Sequence, residues 1–355
     1  MISGRLASAG DAVRGTGRAR AAATVVVALV AAWGVFLAGV VAVRRPLGPG
    51  DYVGIWGLKA RALSRTGDPA ALFRVDPTGA FSHPEYPPLW PALLALESRI
   101  VSGRYDDLAA GTLWPLLALA AALLAARATA GPAWAKGAAA AAVALLPYWR
   151  VYLGYAEALL AVLLLAALGE VPRLAISRAA PIRLALFLVL ACWTKQEGAI
   201  AAAIFVAGLL FAGRRREGLL AGLASLLLGL APWLLFLVAR GPGLSRADYA
   251  FSEFSFGKLA AAGRALLVFG FFPNLGWLLG GAVLVSLAPA AFRSRRGVLL
   301  GVAAFGALLF LGLGFTKLDP VWLVRWSWDR LAFLLVALLL PLLAECVAEQ
   351  FGETG

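Results

Sequence analysis

From Ala21 to Val43 the chain carries no ionisable side chain, and the same holds from Gly218 to Ala239 and from Gly297 to Phe315. Such runs match the roughly 20 apolar residues with which an α-helix crosses a hydrocarbon core of about 30 Å. A backbone in hydrocarbon must satisfy every N–H and C=O internally, so only helices and closed barrels span a membrane. Continuous apolar runs do not have the alternation of a barrel strand. An all-α, polytopic membrane bundle follows. Composition agrees: 62% of the residues are hydrophobic and 14% are charged, against about 25% charged in an ordinary soluble domain.

Tyr105 to Arg127, Arg264 to Phe292 and Arg330 to Val347 are also long and apolar enough to span. Shorter apolar pieces lie between the long ones, at Trp134 to Tyr148, Ala156 to Leu168, Ile182 to Thr194 and Ala199 to Ala212. A helix of about 13 residues covers only about 20 Å. Such pieces either meet end to end at depth or open into a cavity lined by protein. About ten transmembrane helices are expected, in a single domain over 21–349, with a cytoplasmic segment 1–20 before it and a tail 350–355 after it. Arg14, Arg18 and Arg20 imitate the basic head of a signal peptide. The run they precede is a full span that exits at Arg44-Arg45-Pro46, so it is expected to be an uncleaved first helix.

The short loops hold Arg127 and Lys136, then Arg173, Arg178 and Arg183, then Arg214 to Arg216, then Arg293, Arg295 and Arg296. Short basic loops stay on the cytoplasmic side. The remaining long insert, 44–104, is thereby expected to face outward. The net charge of +13 flanks apolar spans and belongs to no solvated basic domain, which points away from nucleic acid and toward membrane lipids and anionic lipid-linked molecules. Cys192 and Cys346 each lie inside an apolar segment and suggest neither a disulfide framework nor a thiolate metal site.

The insert is where chemistry concentrates. Asp51 heads a stretch in which Tyr52, Ile55, Trp56, Lys59, Ala60 and Leu63 recur at helical spacing, giving a short amphipathic helix. The chain breaks at Gly67, Asp76-Pro77 and Gly79 and resumes at His83-Pro84-Glu85-Tyr86-Pro87-Pro88-Leu89, where prolines begin a helix and do not lie inside one. Leu89 to Ile100, with Glu97 and Arg99, is too short to span and reads as a second interfacial helix.

Ionisable residues at membrane depth are expensive and so mark function, yet each has a plainer reading. Asp51 is a good helix N-cap. Glu157, opening a short helix, complements that helix's dipole. Lys195 and Glu197, in Thr194-Lys195-Gln196-Glu197-Gly198, pair locally to close a helical hairpin, and Arg330 at the start of the last helix snorkels to the interface. His83 is the single histidine, more often a turn residue than a base, and one histidine does not anchor a zinc site. What shifts the balance is the set: two carboxylates and several cations from separate segments, on one side. Moving a sugar from a phosphate to a hydroxyl uses such a set. A carboxylate takes the proton of the acceptor hydroxyl while cations stabilise the departing phosphate in a site from which water is partly excluded.

These residues resemble the GT-C superfamily of integral-membrane glycosyltransferases, in particular the group of lipid A aminoarabinose transferases, protein O-mannosyltransferases and lipopolysaccharide sugar transferases. The resemblance rests on Asp51 just after the first helix with Trp56 and Lys59-Ala60 following, on Pro87-Pro88-Leu89 after His83, Glu85 and Tyr86, on Glu157, on Thr194-Lys195 with Gly198, and on Asp329-Arg330-Leu331. The chain departs from the pattern in having Glu rather than Asp at 157 and in showing no counterpart of the soluble C-terminal domain of the larger members. The resemblance implies a multi-pass enzyme of the bacterial plasma membrane, a hexosyl- or pentosyltransferase, working on the outer face with inversion. It implies a polyprenyl-phosphate sugar donor and a glycan, lipid or protein acceptor. Asp51 and Glu157 would be the catalytic acids, with Lys59, His83, Glu85, Tyr86, Lys195, Glu197 and Arg330 binding substrate, and Lys195 and Arg330 meeting the donor phosphate. Some members use magnesium or manganese; here the acids already named are the only candidates to hold it, with no dedicated metal ligands. Two other classes remain open: a secondary transporter for an anionic or amphiphilic solute, whose broken helices also carry charges at depth, and a lipid-binding assembly subunit that kept the fold without the chemistry.

Overall fold

The computed structural model describes residues 2–44, 50–71, 83, 85–240, 253–269, 289–316 and 318–351, and its described secondary structure is helical. Five helices are long and apolar enough to cross a membrane: Ala19–Arg44, Asp107–Ala128, Glu157–Ala175, Arg215–Ala239 and Pro320–Gln350. Ala180–Thr194, Gln196–Phe211 and Gly297–Gly312 are shorter apolar helices. Together with the exposed leucines and valines along their outer faces, these make the chain an integral membrane protein. The expected total of ten is not reproduced among the described residues, and most of the expected span Arg264 to Phe292 lies outside them, over 270–288.

Several boundaries differ from expectation for identifiable reasons. The first helix runs Ile2–Arg44, so most of the segment before residue 21 is helical too. Ala156 to Leu168 was expected to be short. It is Glu157–Glu170, prolonged by a tighter turn Val171–Ala175 with Pro172 near its start, and so reaches spanning length. Tyr105 to Arg127 is divided at Thr112 into Asp107–Gly111 and Leu113–Ala128. The last span starts ten residues before the expected Arg330, at Pro320.

Two helices form the centre. In Glu157–Glu170 every residue except Val162 is buried, and the window within Pro320–Gln350 is 83% buried. The first helix is peripheral, its window only 17% buried, with Val25, Leu29, Trp33 and Phe36 facing outward to lipid. It packs along Ala133–Leu145, and small residues set the distance. A Cβ on Gly34 would lie 2.7 Å from the Ala144 carbonyl oxygen, and one on Gly137 would lie 2.3 Å from Val27 Cγ2.

An aromatic block then fixes one end of the bundle. Tyr148 stacks on Phe333 of the last helix with ring centroids 3.8 Å apart, and Trp149 meets the same ring edge-on. The indole N–H of Trp114 donates to the Trp149 carbonyl at 2.7 Å, and that of Trp149 to the Val143 carbonyl at 2.8 Å. Buried indoles need such partners. The block locks the short helix Tyr148–Val151 against the last helix and thereby sets where Tyr152, Tyr155, Glu157 and Arg330 stand.

The insert forms a platform across this end. Tyr52–Trp56 is a π-helical stretch that continues as the α-helix Gly57–Thr66, closed by Gly67 in the left-handed region at φ +67°. Leu89–Ser102 begins after Pro87-Pro88, as the prolines require, buries Trp90, Leu94, Ala95 and Ser98, and ends at Gly103. The breaks expected at Asp76-Pro77 and Gly79, and Pro84, lie outside the described residues. Trp90 ties the platform down by donating to the Gly154 carbonyl at 2.7 Å. Gly154 has φ +82°, and a Cβ there would lie 2.4 Å from the Tyr52 ring, so only glycine fits under the platform.

Candidate active site

Five of the residues singled out from the sequence meet where platform and bundle join. Arg330 Nη1 lies 2.5 Å from Asp51 Oδ2 and 3.7 Å from Glu157 Oε1. Lys195 Nζ lies 2.8 Å from that same Glu157 oxygen and 2.9 Å from Glu197 Oε1. Asp51 and Arg330 are 279 positions apart in the chain, so the site exists only in the folded bundle.

The plainer readings of these residues give way to the shared one. Asp51 makes no side-chain capping bond; its carboxylate is turned to Arg330, and it is the most accessible of the group at 37% side-chain exposure. Arg330, only 11% exposed, points inward and does not snorkel. Its Nε donates to the Trp326 carbonyl at 3.2 Å and its Nη2 to Ser327 Oγ at 3.1 Å, while the Tyr155 ring lies 4.8 Å from its guanidinium carbon. The local pair of Lys195 with Glu197 does exist, but Lys195 also reaches across to Glu157 on another helix.

Local geometry explains the placement. Lys195 has an extended backbone between Ala180–Thr194 and Gln196–Phe211, which lets the chain reverse in a single residue. The reversal is so tight that a Cβ on Gly198 would fall 1.9 Å from the Ala191 carbonyl oxygen. Arg330 follows a second π-helical stretch, Val324–Trp328, as Asp51 immediately precedes Tyr52–Trp56. π-Turns inside helices recur at functional sites because the extra residue re-aims neighbouring side chains.

Charges this deep are tolerable only when accompanied, and here each cation has two carboxylate neighbours. Glu157 Oε2 and the Tyr148 hydroxyl are among six buried side-chain polar atoms without a hydrogen-bond partner among the described residues. An orphan of this kind costs roughly 1–3 kcal/mol, so it marks a place where a bound polar molecule would be stabilised. A divalent cation fits the donor set poorly. Asp51 and Glu157 both already face Arg330, and among the described residues no three carboxylate, histidine or cysteine groups gather.

Lys59, His83, Glu85 and Tyr86 form a second knot. Lys59, fully buried, donates to the His83 carbonyl and lies 5.4 Å and 5.7 Å from the centroids of Tyr86 and Trp56. His83, at φ +44°, stacks on Tyr86, and its Nδ1 is 2.9 Å from Glu85 Oε1. Trp233 donates to the Glu85 carbonyl at 2.8 Å, anchoring the knot to the helix Ala231–Arg240. Burial pushes the Lys59 ammonium down to about 7, with Glu85 as the opposing influence. A neutral amine still donates to the His83 carbonyl.

Sequence reasoning missed Tyr155 as a site residue. Its hydroxyl accepts the Asp51 backbone N–H at 3.3 Å while its ring covers Arg330. Its position two residues before Glu157 was the available signal. Also missed was the opposite end of the Glu157–Glu170 helix, where buried Glu170 pairs with Arg127 and with Arg183, the latter at 2.7 Å.

No protein-family model and no curated protein matches the chain. Among solved structures it is similar to ArnT from Cupriavidus metallidurans. Against the form bound to undecaprenyl phosphate the TM-score is 0.58 at 17% identity, covering 91% of this chain and 60% of that one. Against the apo form the TM-score is 0.58 at 19% identity, covering 93% and 62%. The chain thus spans about 60% of the length of the ArnT chain. At these identities the likeness is one of fold alone.

Proposed function

We propose that this protein is a membrane glycosyltransferase that moves a sugar from a polyprenyl-phosphate donor to a hydroxyl on a glycan, lipid or protein acceptor. The observation that carries the reading is the convergence of Asp51, Glu157, Lys195 and Arg330 from four separate segments into one ion cluster, in which Glu157, Lys195 and Arg330 are buried and Asp51 is accessible. A fold-level neighbour solved with undecaprenyl phosphate supports the donor class.

Asp51, the accessible carboxylate, takes the proton of the acceptor hydroxyl as the oxygen attacks the anomeric carbon from the face opposite the phosphate, so the configuration inverts. The anomeric C–O bond breaks, and its electron pair leaves with the polyprenyl phosphate. Arg330 and Lys195 meet that growing charge, Arg330 exchanging its contact with Asp51 for one with the phosphate. Glu157 holds both cations through one oxygen and has the other for a sugar hydroxyl. Lys59, His83, Glu85, Tyr86 and Glu197 shape the surrounding wall, with Glu197 fixing Lys195. The basic short loops support an outward-facing site in a bacterial plasma membrane.

Binding of undecaprenyl phosphate to the purified protein tests the donor assignment. Lys195→Ala and Arg330→Ala are each expected to weaken it by about tenfold or more, the loss of one charge-assisted contact. Unchanged affinity in both variants would remove the phosphate role.

A further inference from the structure

A second charged site lies on the platform, away from the ion cluster. A cavity of about 670 Å³ opens between the end of the helix Gly57–Thr66, the end of Leu89–Ser102 and the start of the span Asp107–Ala128. Arg61, Arg65, Arg99 and Arg104 line it, together with Asp106 and Asp107. Four exposed guanidinium groups around one cavity create a positive local potential that favours an anion there.

The acids nearby do not fill that role. Asp106 accepts the Leu108 and Ala109 backbone N–H groups as the N-cap of Asp107–Gly111. Asp107 takes the Tyr52 hydroxyl at 2.8 Å and Arg61 at 3.2 Å, and Glu97 takes the Thr112 hydroxyl at 2.7 Å. The side chains of Arg65, Arg99 and Arg104 make no hydrogen bond or ion pair among the described residues. Three planar, permanently charged forks therefore surround a space of ligand size, the arrangement that suits the oxygens of a phosphate group.

The rim identifies what carries the phosphate. Leu96, Ile100 and Val101 on the outer face of Leu89–Ser102 are 55%, 70% and 54% exposed, and Leu108, at the start of the adjoining span, is 49% exposed. Leu108 lines the cavity itself, and Leu96, Ile100 and Val101 flank Arg99 on the same helix. A soluble anion has no use for this apolar strip, whereas a lipid places its headgroup among the arginines and its chains along the strip.

We propose that this cavity binds the phosphate headgroup of an anionic membrane phospholipid and so seats the platform on the bilayer. The site also touches the catalytic end: the Tyr52 hydroxyl that meets Asp107 is 2.6 Å from that of Tyr105, and Tyr52 is the residue after Asp51.

The test uses the full-length protein in nanodiscs of phosphatidylcholine with or without phosphatidylglycerol. Photoactivatable phosphatidylglycerol should crosslink to residues 96–108 of the wild type, with inorganic phosphate unable to compete. Arg65→Gln/Arg99→Gln/Arg104→Gln should lose phosphatidylglycerol affinity by roughly tenfold or more while phosphatidylcholine contacts persist. Crosslinks confined to other segments would overturn the proposal without any variant being made. A triple variant that retains its preference for phosphatidylglycerol would overturn it as well. Displacement of the crosslink by inorganic phosphate alone would make this a site for free anions and overturn the lipid assignment.

Discussion

Glu157 shows how much a single side chain does in this protein. One of its oxygens serves both Lys195 and Arg330, and its burial leaves no water to replace it. Glu157→Gln removes the charge that accompanies two buried cations, and breaking such a pair typically costs about 3–5 kcal/mol. A lower midpoint in denaturant unfolding, partly restored by adding Lys195→Met, is the expected result; additive effects of the two changes would mean that they are not coupled. Lys59 offers a test by pH. An unfolded lysine titrates near 10.4, and here burial holds it at about 7, so between these values the unfolded chain binds more protons than the native one. Stability contributed through Lys59 therefore rises with pH across that window, with the full penalty present below about 7. Thermal melting measured from neutral to alkaline pH should show this slope in the wild type and lose it in Lys59→Met. Equal slopes would mean that Lys59 is not held neutral. Every charged member of the ion cluster was readable from the sequence, because ionisable residues are conspicuous in an apolar chain. Tyr155 was not, since its role is a backbone contact and a ring face, and its only signal was its place two residues before Glu157.

At the scale of the elements, the hairpin at Lys195 and the π-helical stretches Tyr52–Trp56 and Val324–Trp328 position the site. Gly198→Ala forces a methyl group into the backbone of Ala191, which cannot yield as a flexible side chain would. Separation of the two helices and a loss of about 3 kcal/mol are expected, the upper end of the usual cost of overpacking because the obstacle is main chain. Unchanged unfolding of that variant would show the hairpin to be looser than its geometry indicates. Four of the six expected spanning runs, the proline-primed second platform helix and the stop at Gly67 were readable, because they depend on local composition; Gly297 to Phe315 is instead a shorter helix, Gly297–Gly312, and most of Arg264 to Phe292 lies outside the described residues. Helix ends were not: Glu157–Ala175 gains its length from a turn containing Pro172, and Pro320–Gln350 begins in a polar stretch that hydropathy passes over. The π-turns that aim Asp51 and Arg330 likewise carry no local signature, because the extra residue is set by the packing of Trp56 and Trp328 into the core.

At the scale of the whole molecule, the fold brings residues from both ends of the chain to one end of two central helices. The opposite end of Glu157–Glu170 carries Glu170 with Arg127 and Arg183, so the central helix has an ion cluster at each end and hydrocarbon between. This polarity agrees with the placement of the basic short loops on one side and the platform on the other. That the platform would lie over the charged junction could not be read from the sequence, since it depends on Trp90 reaching Gly154 and on glycine at a position beneath Tyr52. We propose that this junction transfers a sugar with Asp51 as the base. The most direct test of this is transfer of radiolabelled sugar from a panel of polyprenyl-phosphate sugars to membrane extract by the purified wild type and by Asp51→Asn. Label transferred by the wild type from one donor class, a drop of about 100-fold or more in Asp51→Asn, and unaltered folding of that variant are expected. Near-normal transfer by Asp51→Asn, or no transfer from any donor by well-folded wild-type protein, would contradict the proposal.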